Sequence, residues 1–295
     1  MYPEKKNAPG ALPSPEDLAD ADHGITADRQ EVKYRVDGDR LDELLAALTL
    51  RLPRHRFTGD GANGLPDPQH FVSTIYFDTP SRAFYRAACV DGAHNVKLRV
   101  REYYDLHPSL VELATDPSQI VRYQPWVWLE LKTRDLDRAT KQRVRLRKRD
   151  VPRFLASAEG ADSAAESVDR DAAPSGGDEA ALAIAETCRQ AGEPLSASCL
   201  VNYRRFSWQT TDGALRITVD RELAFFAPPA DLWQREQTFL RSTLGPVRGR
   251  DAGGLVEIKH RTALPAWVDQ TLAAVAARAV SFSKFVASSA AVGGP

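Results

Sequence analysis

The sequence predicts an α+β fold that is mainly β, namely an eight-stranded antiparallel closed barrel with flanking helices. Roughly eight segments alternate apolar and polar side chains, which is the period of a strand with one buried face. Asp212-Gly213 separates two of these segments and is a strong signal for a tight hairpin. A similar charged face recurs on both sides of a low-complexity stretch, which favours one barrel over two domains. About eight strands are enough to close a small barrel.

The strands are expected at residues 31–36, 71–77, 95–104, 126–133, 141–147, 199–209, 214–223 and 255–261. Four leucines at helical spacing predict a helix over residues 37–50, directly after the first strand. Two further helices are expected over residues 180–190 and 263–280.

Two parts of the chain differ from the strands in composition. Residues 1–29 are rich in Pro, Ala, Asp and Glu, which predicts a disordered tail. The ordered domain is expected to span residues 30–290. Within it, a run of Ala, Ser, Asp, Glu and Gly at about residues 156–179 predicts a flexible acidic insertion.

The composition also bears on location. No run of about 18 apolar residues is present, and the N-terminal segment lacks the apolar core of a signal peptide. The three cysteines have neither metal-finger nor redox-motif spacing, which favours a reducing compartment. We therefore expect a cytoplasmic protein without a transmembrane segment.

The polar faces of the predicted strands are mostly cationic. Lys97, Arg99 and Arg101 alternate with valine and leucine, so they share one face of their strand. The other strands supply Glu31, Lys33, Glu130, Lys132, Lys141, Arg143, Arg145, Arg147, Tyr203, Arg205, Arg216, Thr218, Asp220, Glu257, Lys259 and Arg261 in the same way. A solvated sheet face would carry mixed charges, because like charges on neighbouring strands repel. The repeated cationic face instead predicts a bound polyanion.

Phosphate is the anion that this chemistry suits best. Arginine offers a planar fork that matches phosphate oxygens, and lysine acts as a point charge. The few carboxylates on the same faces suit Mg²⁺ or Mn²⁺, which use one or two carboxylates together with phosphate oxygens. Phosphoryl transfer depends mainly on positioning and electrostatic stabilisation, which such a face supplies.

A set of motifs runs through the chain in a fixed order. It comprises EVKY at 31–34, STIYFDT at 73–79, KLRVR at 97–101, LELK at 129–132, KQR at 141–143, VNYRR at 201–205, LRITVDREL at 215–223, VEIKH at 256–260 and SFSKF at 281–285. This set resembles the VTC domain, the polyphosphate polymerase domain of the vacuolar transporter chaperone complex, which belongs to the CYTH-like triphosphate tunnel metalloenzymes. Only Glu31 precedes Lys33 in the first motif, which favours the VTC branch over the triphosphatases with their paired glutamates.

The resemblance implies a tunnel enzyme that transfers the γ-phosphate of ATP to inorganic polyphosphate with Mn²⁺ or Mg²⁺. It implies catalytic roles for Lys33, Arg99, Arg101, Arg205, Arg216 and Lys259, and phosphate or nucleotide binding by Lys97, Lys132, Lys141, Arg143, Tyr203, Ser283 and Lys284. Glu257 is the implied metal ligand. Glu31 and Glu130 are further candidate metal ligands.

Other functions stay open at this point. The same cations and metal would serve a tunnel triphosphatase that hydrolyses inorganic triphosphate or a nucleoside triphosphate. A non-catalytic module for polyphosphate or nucleotides is a second alternative. Nucleic acid is not an expected partner, because few aromatic residues are interleaved for base stacking. Association with a membrane-protein partner is a further expectation.

Overall fold

The computed structural model describes residues 30–55, 69–90, 94–106, 124–135, 138–156 and 177–293. The predicted tail at residues 1–29 lies outside this described part. So do residues 157–176 of the predicted insertion, since a helix ends at Ala156 and another begins at Gly177.

Ten strands form one antiparallel sheet in the described part of the chain. They are β1 (Gln30–Val36), β2 (Gln69–Asp78), β3 (His94–Leu106), β4 (Trp126–Asp135), β5 (Arg138–Arg147), β6 (Ser196–Gln209), β7 (Leu215–Phe226), β8 (Val247–Asp251), β9 (Gly254–His260) and β10 (Arg278–Ala279). The predicted strands all lie within this set to within a few residues, whereas β8 and β10 were not predicted.

The sheet does not close, so the predicted eight-stranded closed barrel is wrong. Hydrogen-bonded neighbours follow the order β10-β1-β9-β7-β6-β2-β3-β4-β5, and β8 pairs with β7 beside this path. Among the described residues, β5 pairs with β4 alone and β10 with β1 alone, so the path has two ends. Closure requires a hydrogen-bonded ladder between distant strands, and the side-chain period of a single strand carries no information about that ladder.

The predicted hairpin at Asp212-Gly213 is confirmed. β6 and β7 pair antiparallel, and Gly213 adopts a left-handed φ of 67°, a conformation that glycine tolerates without steric cost. The Asp212 carboxylate accepts a hydrogen bond from the Ala214 amide at 3.0 Å, which holds the turn together.

Six α-helices flank the sheet in the described residues. They are α1 (Leu41–Arg51), α2 (Ala83–Val90), α3 (Val151–Ala156), α4 (Gly177–Gln190), α5 (Ala266–Ala274) and α6 (Lys284–Gly293). None of the helices seen in these residues has the length and apolar character needed to cross a membrane.

The predicted helices differ from the observed ones mainly at their ends. The helix expected over 37–50 begins with a 3₁₀ turn at Gly38–Arg40 and continues as α1. The helix expected over 263–280 is much shorter, because Ala276 has a φ of 50° and the chain then pairs with β1 through β10. A residue in the left-handed conformation ends the helical hydrogen bonds, and the helical spacing of apolar residues does not show where the helix ends.

The sheet has an outer face that is packed by helices and an inner face that is largely charged. On the outer face, Ile184 of α4 belongs to one buried core, and Leu44 of α1 and Leu272 of α5 belong to another. On the inner face, Phe285 of α6 packs near Tyr203 of β6. Most apolar side chains of the strands point outward beneath the other helices, which directs the alternating charged side chains inward. α6 covers a smaller apolar cluster on the inner face of β2, β6 and β7.

Candidate active site

The inner face of β1, β9 and β7 forms the first arm of the site. Its cross-strand rows are Lys33–Glu257–Thr218 and Glu31–Lys259–Arg216. Directly opposed residues on antiparallel strands point to the same side, so each row is a contiguous patch.

The inner face of β3, β4 and β5 forms the second arm. Its rows are Lys97–Lys132–Lys141, Arg99–Glu130–Arg143 and Arg101–Trp128–Arg145. The Arg143 guanidinium lies over the Trp128 ring at 4.2 Å, which positions it by a cation–π contact.

The two arms face each other across a cleft. Burial lowers the pKa of Lys132 to about 8, Lys259 and Arg99 lower it further, and Glu31 and Glu257 oppose the shift. Lys132 and Lys259 lie five strand steps apart on the sheet path, which in a flat sheet would be about 24 Å at roughly 4.8 Å per step. Charges at that separation would be screened, because the Debye length in physiological salt is about 8 Å. The sheet is therefore strongly curved, although its backbone does not close.

A buried ion-pair cluster lies at the floor of the cleft. Arg205 donates two hydrogen bonds to the Asp220 carboxylate, at 2.6 and 2.7 Å, and the Lys284 ammonium lies 2.6 Å from the same group. Arg205 and Lys284 also lie over the Tyr203 ring, at 5.2 and 4.8 Å. The Tyr203 hydroxyl is buried and has no hydrogen-bond partner in the described structure, so a polar donor or acceptor is available at this floor.

The amino-terminal end of α6 reaches this cluster. Ser283 precedes the helix, its hydroxyl accepts a hydrogen bond from the Val286 amide at 3.4 Å, and Lys284 is the first helical residue. The Lys33 ammonium donates to the carbonyl of Phe282 at 3.3 Å, which ties the same segment to the first arm. The positive end of a helix dipole favours anions, so the α6 terminus adds to the positive potential of the cleft.

Glu130 is held inside the second arm by two cations. Arg99 donates to its Oε2 at 2.8 Å, and the Lys141 ammonium lies 3.3 Å from its Oε1. Burial alone would raise the pKa of Glu130, but Arg99, Lys141 and Arg101 hold it well below its ordinary value. Both carboxylate oxygens are engaged, which makes Glu130 a weaker candidate for a metal ligand than the carboxylates of the first arm.

Glu257 and Glu31 bring two carboxylates close together at the first arm. The Lys259 ammonium lies 3.0 Å from Glu257 Oε1 and 3.9 Å from Glu31 Oε2, and Lys33 lies 3.2 Å from Glu31 Oε1. The described residues contain no group of three or more His, Cys, Asp or Glu side chains that could hold a metal ion. Two carboxylates nevertheless fit Mg²⁺ or Mn²⁺ when phosphate oxygens complete the coordination.

Positive charge exceeds negative charge on the described inner face. Its cations include Lys33, Lys97, Arg99, Arg101, Lys132, Arg134, Lys141, Arg143, Arg145, Arg147, Arg205, Arg216, Lys259 and Lys284, and its carboxylates include Glu31, Glu130, Asp220 and Glu257. No carboxylate of the described residues lies within 4.0 Å of the Lys97 or Lys132 ammonium. The charge left over is suited to a ligand with several negative groups.

The structure brings together all sixteen residues that the sequence predicted for the site. They come from β1, β3, β4, β5, β6, β7 and β9 and from the start of α6. Two inner-face neighbours were given no role in the predicted site: Asp220, which pairs with both Arg205 and Lys284, and Tyr103, whose hydroxyl accepts from Arg101 at 3.0 Å. Strand alternation places both residues on the inner face but does not reveal these partners, which depend on contacts between strands.

The family comparison matches most of the chain. The family model of the VTC domain matches residues 28–292. No curated protein gives a significant match.

The solved structures give weak similarities. A proposed adenylate cyclase from Bacillus halodurans has 12% identity and a TM-score of 0.44, covering 88% of this chain and 97% of the other. A proposed adenylate cyclase from Vibrio parahaemolyticus has 12% identity and a TM-score of 0.37, covering 87% of this chain and 95% of the other.

Proposed function

Since the chain belongs to the VTC domain family, we propose that it is a metal-dependent polyphosphate polymerase. It transfers the γ-phosphate of ATP to the end of an inorganic polyphosphate chain bound in the cleft. The observation that carries this proposal is the inner face, on which cations from seven strands converge with few carboxylates. A linear anion with many phosphates is the ligand that matches such a face along its length.

The cations of the two arms have different tasks in this proposal. Lys33, Arg99, Arg101, Arg205, Arg216 and Lys259 contact the reacting phosphates and stabilise the charge that develops on their oxygens. Lys97, Lys132, Lys141, Arg143, Tyr203, Ser283 and Lys284 hold the remaining phosphates or the nucleotide. Positions fixed before the ligand binds avoid the cost of reorganising water around the reacting groups.

Glu257 and Glu31 would hold Mn²⁺ or Mg²⁺ in this site. Bound there, the ion would neutralise phosphate charge and orient the phosphate that is attacked. Burial would raise the pKa of Glu257, but Lys259, Arg205, Lys33 and Lys284 keep it well below its ordinary value, so the carboxylate is ionised at neutral pH. An ionised carboxylate is the form that a hard divalent cation requires.

The acceptor is proposed to be a phosphate rather than water. An oxygen of the terminal polyphosphate unit attacks the γ-phosphorus, the bond to the β-phosphate oxygen breaks, and ADP leaves. This acceptor is already anionic, whereas a water molecule would have to lose a proton. Glu130, Asp220 and Glu257 all have lowered pKa values and are therefore weak bases, which favours the phosphate acceptor.

We further propose that residues 30–290 form one domain, because β5 and β6 on either side of the predicted insertion belong to the same sheet. All three cysteines are free thiols, which supports a cytoplasmic location. ATP and polyphosphate are the proposed ligands, and we also propose association with a membrane-protein partner.

The test is incubation of the protein with ATP and Mn²⁺, with the products separated by length on a gel. A ladder of long polyphosphate with release of ADP is expected. Orthophosphate as the only product would contradict the polymerase and would move the assignment to a hydrolase. Binding of triphosphate without turnover would contradict any catalytic role.

Glu257→Gln tests the metal ligand within the same assay. The substitution keeps the shape of the side chain but removes its charge, so turnover should fall by at least about 100-fold. Triphosphate binding without metal should persist, because one negative charge has been removed from a cationic face. Glu186→Gln, on the exposed surface of α4, is the matched control and should keep the wild-type rate. Wild-type turnover in the Glu257 variant would contradict this role.

A further inference from the structure

A β-bulge in β7 creates a distinct feature on the outer face of the sheet. Arg204 pairs with Arg221 and Asn202 pairs with Ala224, so two residues of β7 oppose one residue of β6. Glu222 lies at this bulge with a φ of 57°. A left-handed conformation in a residue other than glycine is uncommon and often accompanies a functional constraint.

Three arginines from different elements converge on the Glu222 carboxylate. Arg221 Nε lies 3.3 Å and Arg204 Nη1 3.6 Å from Oε1, and Arg241 Nη1 lies 3.8 Å from Oε2. All three distances exceed the 2.7–2.9 Å that is usual for a charge-assisted hydrogen bond. The Glu222 carboxylate is thus shared among three guanidinium groups and holds none of them closely. Arg221 Nη1 also donates to the exposed carboxylate of Asp42 at 3.0 Å.

Arg241 is fixed mainly by uncharged groups. Its Nε donates to Asn202 Oδ1 at 2.7 Å, and its Nη2 donates to the carbonyls of Asn202 at 3.1 Å and Glu222 at 2.5 Å. Amide and carbonyl oxygens orient the guanidinium without cancelling its charge. The group is therefore held in place for a further anion.

A fourth arginine extends the patch. Arg54 and Arg204 both lie over the Phe206 ring, at 5.7 and 4.8 Å. Burial lowers the pKa of Arg204, and neighbouring Arg221 and Arg54 lower it as well, while Glu222 raises it. The positive charges therefore oppose one another at this bulge.

We propose that the arginine cluster, defined as Arg54, Arg204, Arg221 and Arg241, is a second anion site that binds a phosphate group. The Glu222 carboxylate occupies the position that a phosphoryl group takes when a ligand is present. A phosphoryl group carries three acceptor oxygens and more charge, so it satisfies three guanidinium groups better than one carboxylate does. The site lies on the outer face and does not depend on what the inner face does.

The test measures binding calorimetrically in the full chain carrying Lys33→Gln and Lys259→Gln, which weaken the inner face. Inorganic pyrophosphate should still bind at one site. Adding Arg204→Gln and Arg221→Gln should weaken that binding at least about tenfold. Adding Arg86→Gln and Arg149→Gln instead, which removes two exposed charges elsewhere, should leave it unchanged.

Glu222→Gln gives a second, opposite readout. Removing the competing carboxylate should tighten pyrophosphate binding about two- to fivefold, the range of an exposed ion pair. Unchanged or weaker binding in this variant would overturn the proposal, as would equal losses in the cluster and control variants. Long-chain polyphosphate serves as the second probe. If polyphosphate binds more than tenfold more tightly than pyrophosphate, the ligand of this site is a polymer. If the two probes bind equally, the ligand is a small phosphate compound.

Discussion

Lys97 and Lys132 show how burial among like charges lowers the pKa of a lysine. Burial is the first cause that lowers the pKa of each ammonium to about 8, and nearby cations lower it further. Both groups therefore titrate close to physiological pH, well below the ordinary lysine value. We expect phosphate binding to reverse this shift, because a bound anion favours the protonated form.

The two lysines predict a pH dependence of ligand affinity. Triphosphate should bind more weakly as the pH rises through about 8, because the empty protein loses these protons before the ligand arrives. Calorimetry in buffers of different ionisation enthalpy should detect proton uptake on binding at pH 8.5. The affinity of a variant with Lys97→Gln and Lys132→Gln should depend much less on pH. Equal pH dependence in both proteins would contradict this assignment.

The same lysines predict that the free energy of unfolding rises with pH, whereas ligand affinity falls. Their folded-state pKa values of about 8 lie below the ordinary 10.5, so the unfolded chain binds more protons between these limits. Their contribution to the free energy of unfolding should therefore increase with pH across that window. Urea unfolding at pH 7.5 and pH 9.5, compared between wild type and the double glutamine variant, isolates this contribution.

Single residues of the site were predictable to different degrees. The period of two identified Arg99 and Glu130 as inner-face residues, because alternation depends only on the strand itself. It did not reveal that Arg99 and Lys141 occupy both oxygens of Glu130, whereas Glu257 and Glu31 lie together on the first arm. Pairing across strands depends on register, which a single strand does not encode.

At the scale of elements, a buried ion pair attaches a long segment to the outer face. Lys148 and Glu102 lie 2.9 Å apart with side chains that are each 1% exposed. Lys148 also donates to the carbonyl of Gln237, and Glu102 accepts from the Phe239 amide. The contacts at Gln237 and Phe239 hold a segment without strands against the outer face of the sheet.

Lys148→Met should destabilise the protein by about 3–5 kcal/mol at pH 8.5, because it leaves a buried carboxylate without its partner. Burial raises the pKa of Glu102 to about 7, and Lys148 opposes that shift, so the carboxylate of the variant takes up a proton readily. The loss should thus be smaller at pH 6. Urea unfolding at the two pH values measures it, with Glu102→Gln in the Lys148→Met background expected to restore part of the stability. An equal loss at both pH values would contradict the argument.

The elements that the sequence patterns did not predict are all too short to show a repeat. β8 and β10 are five and two residues long, and the 3₁₀ turns near residues 232–243 have no repeat. Their conformations follow from contacts with β7, β1 and the outer face. Long strands such as β3 and β6 were predictable, because many alternating residues carry the same signal.

At the scale of the whole molecule, the prediction of a closed barrel failed while the prediction of a charged interior face succeeded. Strand order and curvature arise from contacts between distant residues, such as those that bring Lys132 near Lys259. The amphipathic pattern fixed only which side of each strand faces inward. An open sheet with strong curvature still creates a cleft that cations from both arms line.

The like charges of the inner face predict that a bound anion stabilises the fold. Like charges on the inner face repel one another in the free protein, and a bound anion relieves that repulsion. By mass action, triphosphate at a hundredfold excess over its Kd should add about 2.7 kcal/mol to the free energy of unfolding. This corresponds to an increase in Tm of roughly 5–10 °C for a domain of this size. The Lys33→Gln and Lys259→Gln variant should show less than half of that increase. An equal increase in wild type and variant would place the ligand elsewhere.

The most direct test of the account is a crystal structure with Mn²⁺ and a non-hydrolysable ATP analogue, in which anomalous scattering locates the ion. The account predicts a manganese peak within about 2.5 Å of the Glu257 carboxylate, with the phosphates between the first and second arms. A peak at another carboxylate, or phosphates bound only on the outer face, would contradict the assignment of the inner face as the catalytic site.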